Sequence, residues 1–207
     1  MVFKIKEIKE PKLDKFLEES IFDLGKFFRI NWKYNSPKVV LVPDRKTINS
    51  LQHERTEDWV VGWADNRTVY ILDYRNFEKE SSHKYSEKEY FALIKHELVH
   101  CFTGLVSKYT KLPNWLSEGI SIYLSGQNNF KKKPDDLKSF LEFYDKGGKG
   151  VYYESGFAVE FLVKKYGRSK LLDLIKSIKE VKDKNEFGDL FKKIYGFELK
   201  YKNFKVL

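Results

Sequence analysis

The sequence predicts an α+β protein, with a small mixed sheet and helices in its N-terminal half and a mainly helical C-terminal half. Three observations carry this reading. The β-rich runs at residues 39–42, 59–64 and 68–72 all lie early in the chain. Apolar residues recur at helix spacing near the start and again through most of the second half. At 207 residues with 42% hydrophobic and 16% aromatic side chains, the chain can build a substantial core and does not read as disordered.

Taken in order, Leu13, Phe16, Leu17, Ile21, Leu24, Phe27 and Phe28 mark an amphipathic first helix. Residues 39–42 read as a short buried strand closed by Pro43, and a helix follows from about Thr47. The runs 59–64 and 68–72, separated by Asp65 and Asn66, make a hairpin. Ser86 with Glu89 suits a capping box, and Tyr90, Phe91, Ile94, Leu98, Cys101, Phe102 and Leu105 then recur at helix spacing up to an expected end at Gly104. Pro113 suits the first turn of the next helix, whose apolar side is Trp115, Leu116, Ile120, Tyr123 and Leu124. Further helices are expected over 156–166, 170–179 and 186–195, with Gly167 and Gly196 as stops. The connection 145–150 is the most flexible-looking, and it could gate a cleft.

The chemistry-bearing stretch is His96-Glu97-Leu98-Val99-His100. Successive helix residues turn by about 100°, so positions four apart lie one above the other and two imidazoles can reach a single ion. The carboxylate between them can face the water bound to that ion, which is a zinc-hydrolase signature. Because a helix with this much apolar surface is mostly buried, unpaired histidines on it would be costly. A hydrolytic zinc takes three protein ligands and keeps a position for water. Glu118 is the candidate third ligand, as the only acid between Glu97 and Asp135.

These residues resemble the gluzincin metallopeptidases, especially the peptidase MA-like families, through His96-Glu97-x-x-His100 followed by Trp115-Leu116-Ser117-Glu118-Gly119. The resemblance covers roughly residues 58 to 200. It implies a zincin-like metallopeptidase domain spanning residues 1–207, with an α/β lobe over 1–104 ending in the zinc-binding helix, a helical lobe over 105–207, and the zinc site in the cleft between them. It also implies one zinc ion (Zn2+) held by His96, His100 and Glu118, with Glu97 as general base and a peptide or protein as substrate. Tyr153-Glu154-Ser155-Gly156 is similar to the Tyr-Glu-Lys-Gly segment of aminopeptidase N-type members, so Tyr153 takes the oxyanion-stabilising role by resemblance. Such enzymes commonly present an edge strand to an extended substrate, and Tyr70, Ile71 and Leu72 are the candidates. Gly62-Trp63-Ala64-Asp65-Asn66 faintly resembles their amine-binding element, although Asp-Asn suits a plain hairpin turn. Ser117 departs from the Asn common in aminopeptidase N-type members, and Gly104 from a thermolysin-type Asp that orients a ligand histidine. Ser117, Ser121 and Asn114 are therefore the candidates for orienting the ligands.

Composition adds limits. No apolar leader or membrane-length run is seen, and the single cysteine, Cys101, excludes an internal disulfide, so a cytoplasmic protein without a membrane partner is expected. Cys101 itself reads as a small core residue. A net charge of +9 raises nucleic acid as a partner, but the basic residues are scattered and no nucleic-acid-binding motif accompanies them. Lys131-Lys132-Lys133, the one run of three, reads as solvated loop, although the positive balance favours acidic peptide substrates. His53 and His83 are expected on loops or exposed helix surface. Two alternatives stand beside the peptidase reading: a zinc-binding scaffold of the same fold without turnover, and a basic nucleic-acid-binding domain.

Overall fold

Proline in the first turn opens α1 (Pro11–Phe28), where its missing N–H costs no helical hydrogen bond. The computed structural model describes residues 3, 5–32 and 34–207. After α1 the chain forms β1 (Lys38–Val42) and then α2 (Arg45–Gln52). The latter starts before Thr47 because the Asp44 carboxylate accepts the Thr47 backbone N–H at 2.7 Å, capping the helix two residues early.

The hairpin forms as β2 (Gly62–Asp65) and β3 (Thr68–Leu72), paired antiparallel with Asp65 opposite Thr68. Asn66 turns the corner at φ 51°, a left-handed conformation that asparagine tolerates. Strand β1 then pairs parallel to β3, from Lys38 opposite Thr68 to Val42 opposite Leu72. The order β1-β3-β2 makes a mixed sheet with β3 at its centre. This moves the expected docking strand. Tyr70, Ile71 and Leu72 lie in a strand already paired on both edges, and Ile71 and Leu72 are fully buried, so no row of backbone groups is free there to accept another chain. The sheet's outer edges belong to β1 and β2, and of the two it is β2 that lies beside α4, with Gly62 next to Glu97.

A short helix α3 (Phe77–Glu80) leads to the long α4 (Glu87–Val106), which lies against both the sheet and α1. Ile94, Leu98, Cys101 and Phe102 of α4 are buried. The capping box is not formed, since the Ser86 side chain makes no cap hydrogen bond; Glu87 and Glu89 instead place acids in the first turn, where the helix dipole favours them. The helix runs past Gly104, and the Tyr109 N–H donates back to the Gly104 carbonyl at 2.6 Å. A Cβ at position 104 would stand 3.3 Å from the Tyr109 ring, so that glycine serves a close approach rather than a stop.

The second half is helical: α5 (Asn114–Ser125), α6 (Val151–Tyr166), α7 (Arg168–Ser177) and α8 (Lys184–Tyr195). Helix α6 begins five residues before its expected start. Its Glu154 carboxylate accepts the backbone N–H groups of Lys138, Ser139 and Phe140, fastening the preceding loop to the first turn. One continuous core runs from α1 and the sheet through α4 into these helices. The tail after α8 adds Phe204, whose ring lies 4.9 Å from that of Phe140 and 5.5 Å from that of Phe161. No described helix is long and apolar enough to cross a membrane.

Candidate metal centre

Helical phase alone brings His96 and His100 to one side of α4, and their Nε2 atoms lie 3.2 Å apart. Glu118 reaches them from α5, with Oε2 3.1 Å from His96 Nε2 and Oε1 3.6 Å from His100 Nε2. The three groups can each offer one ligand atom within a cluster no wider than 4.8 Å.

Close helix packing is what carries Glu118 there. A Cβ at Gly119 would stand 2.5 Å from the Ser155 carbonyl oxygen, and one at Gly156 would stand 2.3 Å from Ile122 Cγ2. The two glycines let α5 and α6 cross almost backbone to backbone. With Trp115, Leu116 and Ile120 buried on the rest of α5, Glu118 is left pointing toward the histidines.

Each imidazole is held from behind. His96 Nδ1 lies 2.9 Å from the Gln127 amide oxygen, which only accepts, so Nδ1–H donates there and the ring is held with Nε2 toward the centre. Gln127 follows Gly126, whose φ of 79° ends α5 and reverses the chain. His100 Nδ1 sits 3.3 Å from the Ser117 hydroxyl, while the Ser121 hydroxyl lies 3.4 Å from both Nδ1 and Nε2 of the same ring. Asn114 does not join them; its side-chain amide donates to the Asp145 carbonyl instead.

The donor set could hold a metal ion. Two imidazole nitrogens this close share either a proton or a cation between them, and the carboxylate opposite supplies a countercharge in both cases. Electrostatically, Glu118 and the two rings stabilise each other's charged forms. Burial opposes charge on both partners, yet Glu118 lifts the His100 pKa to about 9, and the two rings hold the Glu118 carboxyl well below the usual carboxylate range.

Glu97 is 8% exposed, and its side chain makes no hydrogen bond to any described residue. Burial pushes its pKa up, against the pull of His96 and His100. The open edge strand runs beside it, since a Cβ on Gly62 would come within 3.6 Å of Glu97 Cγ.

Glu97 and His96 floor a cleft of about 650 Å³, with Val60, Val61 and Gly62 on one wall and Gln127, Lys131 and Tyr152 on the other. Arg45 braces the first wall, its guanidinium donating to the carbonyls of Glu57, Asp58, Val60 and Glu80. Tyr153 stands on the rim, 69% exposed, and the structure does not bring it to the triad. Its neighbour Tyr152 points inward, with its ring 6.3 Å from that of His96. Because α6 already turns at Val151, the two tyrosines differ by about 100° in direction. Burial first, then the charges of Glu118 and Glu97, raise the Tyr152 pKa and keep its hydroxyl protonated.

Lys131 also leaves its expected place. While Lys132 and Lys133 are exposed, its ammonium folds into the cleft and donates to the Tyr152 carbonyl at 2.8 Å. His53 and His83 are exposed, as expected, and Cys101 is a buried core residue. Asp65 lies at the hairpin turn, bonded through its carboxylate to the Asn66 amide. Gln127, Tyr152, Lys131 and Arg45 are the site's contributors that sequence reasoning missed. Of these only Gln127 had a readable signal, in the glycine before it. No family model, curated protein or solved structure matches the chain.

Proposed function

We propose that this chain is a zinc metallopeptidase of gluzincin type. The observation that carries the reading is the convergence of His96, His100 and Glu118 beside a buried, unpartnered Glu97 at the floor of a cleft with an open strand edge. His96 and His100 through Nε2, and Glu118 through its carboxylate, would hold the ion. When bound, zinc supplies Lewis acidity toward a carbonyl oxygen and lowers the pKa of a coordinated water.

The chain's own groups do the rest. Glu97 accepts a proton from the attacking water and returns it to the leaving amine, and its burial suits a base that must also become an acid. The Tyr152 hydroxyl, kept protonated, donates a hydrogen bond to the oxyanion as charge develops there. The edge of β2 pairs with an extended peptide and lays its backbone past Glu97. Gln127, Ser117 and Ser121 keep the imidazoles aimed at the centre.

Metal analysis joined to a casein assay tests this. The purified protein is expected to carry about one zinc per chain and to lose hydrolysis to a chelator. Glu97→Gln is expected to retain zinc while turnover falls by about 10²–10⁴-fold, and His96→Ala or Glu118→Ala to lose both. Full activity in Glu97→Gln, or hydrolysis indifferent to chelation, overturns the reading. Zinc bound at full occupancy without hydrolysis of any peptide favours a zinc-binding scaffold.

A further inference from the structure

The two half-buried basic residues beside the cleft are used very differently. Arg45 spends its donors on Thr56, Glu57, Asp58, Val60 and Glu80. Lys131 spends one, on the Tyr152 carbonyl, and has no carboxylate within ion-pair distance among the described residues. The nearby acid, Glu118, is already committed to two imidazoles. This half-buried ammonium, 6.0 Å from the Tyr152 ring centre, leaves two N–H groups facing the cleft, where a carboxylate can take the place of water. It shares the cleft wall with Gln127 and Tyr152, which both approach His96. The rim repeats the sign, with exposed Lys84 and Lys149 against the single acid Glu89.

We propose that Lys131 is a specificity-determining residue, binding a substrate carboxylate close to the reacting bond, either on an acidic side chain or at the substrate's C-terminus. The proposal deepens the peptidase reading and rests on it for the identity of the ligand as a peptide. A guanidinium at this position would preserve the recognition, whereas a thioether of similar length would fill the space without it.

Binding to the zinc-loaded Glu97→Gln protein tests it without requiring turnover. Fluorescein-labelled neutral peptides would be compared by anisotropy, each carrying one Glu, or its Gln counterpart, at every internal position in turn, as C-terminal amides and as free acids. At least one Glu position, or the free acid, is expected to bind about 10- to 100-fold tighter than its neutral counterpart, the range a charge-assisted contact provides. Which arm carries the preference separates side chain from terminus. Adding Lys131→Met is expected to bring that ratio close to one, and Lys131→Arg to keep it. An unchanged ratio in Lys131→Met, or no acid preference in the parent, overturns the proposal. So does loss of zinc or fold in both Lys131→Met and Lys131→Gln, because Lys131 would then be a structural prop. An acid preference that depends on Lys131, in a protein whose wild type cleaves none of these peptides, keeps Lys131 as the carboxylate-binding group and defeats the peptidase reading instead.

Discussion

The floor and the walls of the cleft are held by different physics. The floor is α4 and α5, whose site residues ride on helices anchored by buried apolar side chains such as Leu98, Phe102, Trp115 and Ile120. Helical phase then sets the direction of His96, His100 and Glu118. The walls are a strand edge, loops and helix ends held by polar groups: Arg45 on the carbonyls of Glu57, Asp58 and Val60, and, behind the start of α6 that presents Tyr152, Glu154 on the backbone N–H groups of 138–140. A floor built from many small dispersion contacts spreads its stability over many side chains, with Gly119 and Gly156 as its points of close approach, whereas a wall pinned by one side chain can be released by one. Identity of the chemistry therefore belongs to the floor, and its tuning to the walls.

The sharpest way to break this comparison is at the two neighbouring tyrosines. Tyr152→Phe is expected to lower kcat by about 10²–10³-fold, as removal of an oxyanion donor does, with zinc content unchanged. Tyr153→Phe, at the exposed rim, is expected to leave kcat near the wild-type value. The reverse pattern in steady-state kinetics would return the oxyanion role to Tyr153.

Next in size is Gln127, where wall meets floor. Replacing it by alanine frees the His96 ring and is expected to weaken zinc binding by about 10–100-fold, measured by competition with a chromogenic chelator. Affinity equal to wild type would mean that packing alone orients His96. The smallest effect on chemistry is expected from Arg45→Met. It strands several carbonyls and is expected to cost about 1–3 kcal/mol of stability, with faster amide hydrogen exchange at residues 57–61 and zinc content preserved. Unaltered exchange there would remove Arg45 from its bracing role.

Legibility follows the same division. The histidine pair and Glu97 could be read from the chain because a helix converts sequence spacing directly into direction. Glu118 could be read because no other nearby acid competes for its place. Ser117 and Ser121, one position before and three after Glu118 on α5, reach the His100 ring, whereas Asn114 at the start of the same helix turns to the Asp145 carbonyl. The strands of the hairpin were visible too, but not which of them stays open, since that depends on β1 arriving from residues 38–42 to pair with β3. Tyr152 and Tyr153 look alike in sequence, and the choice between them turns on α6 starting at Val151, a boundary set by Glu154 and the loop it holds. Lys131 looked like part of a solvated run because composition averages over neighbours, whereas a tertiary carbonyl selects one of the three.

By itself, then, the sequence determined the α+β class, the helices that bear the candidate metal ligands, and the identities of those ligands, because all of these rest on periodicity and on residue chemistry within one or two turns. Only the tertiary structure decided the free edge of the sheet, the tyrosine that faces the site, the amide behind His96 and the ammonium in the cleft. Those outcomes hang on contacts between segments far apart in the chain, whose partners are chosen by how the whole core closes.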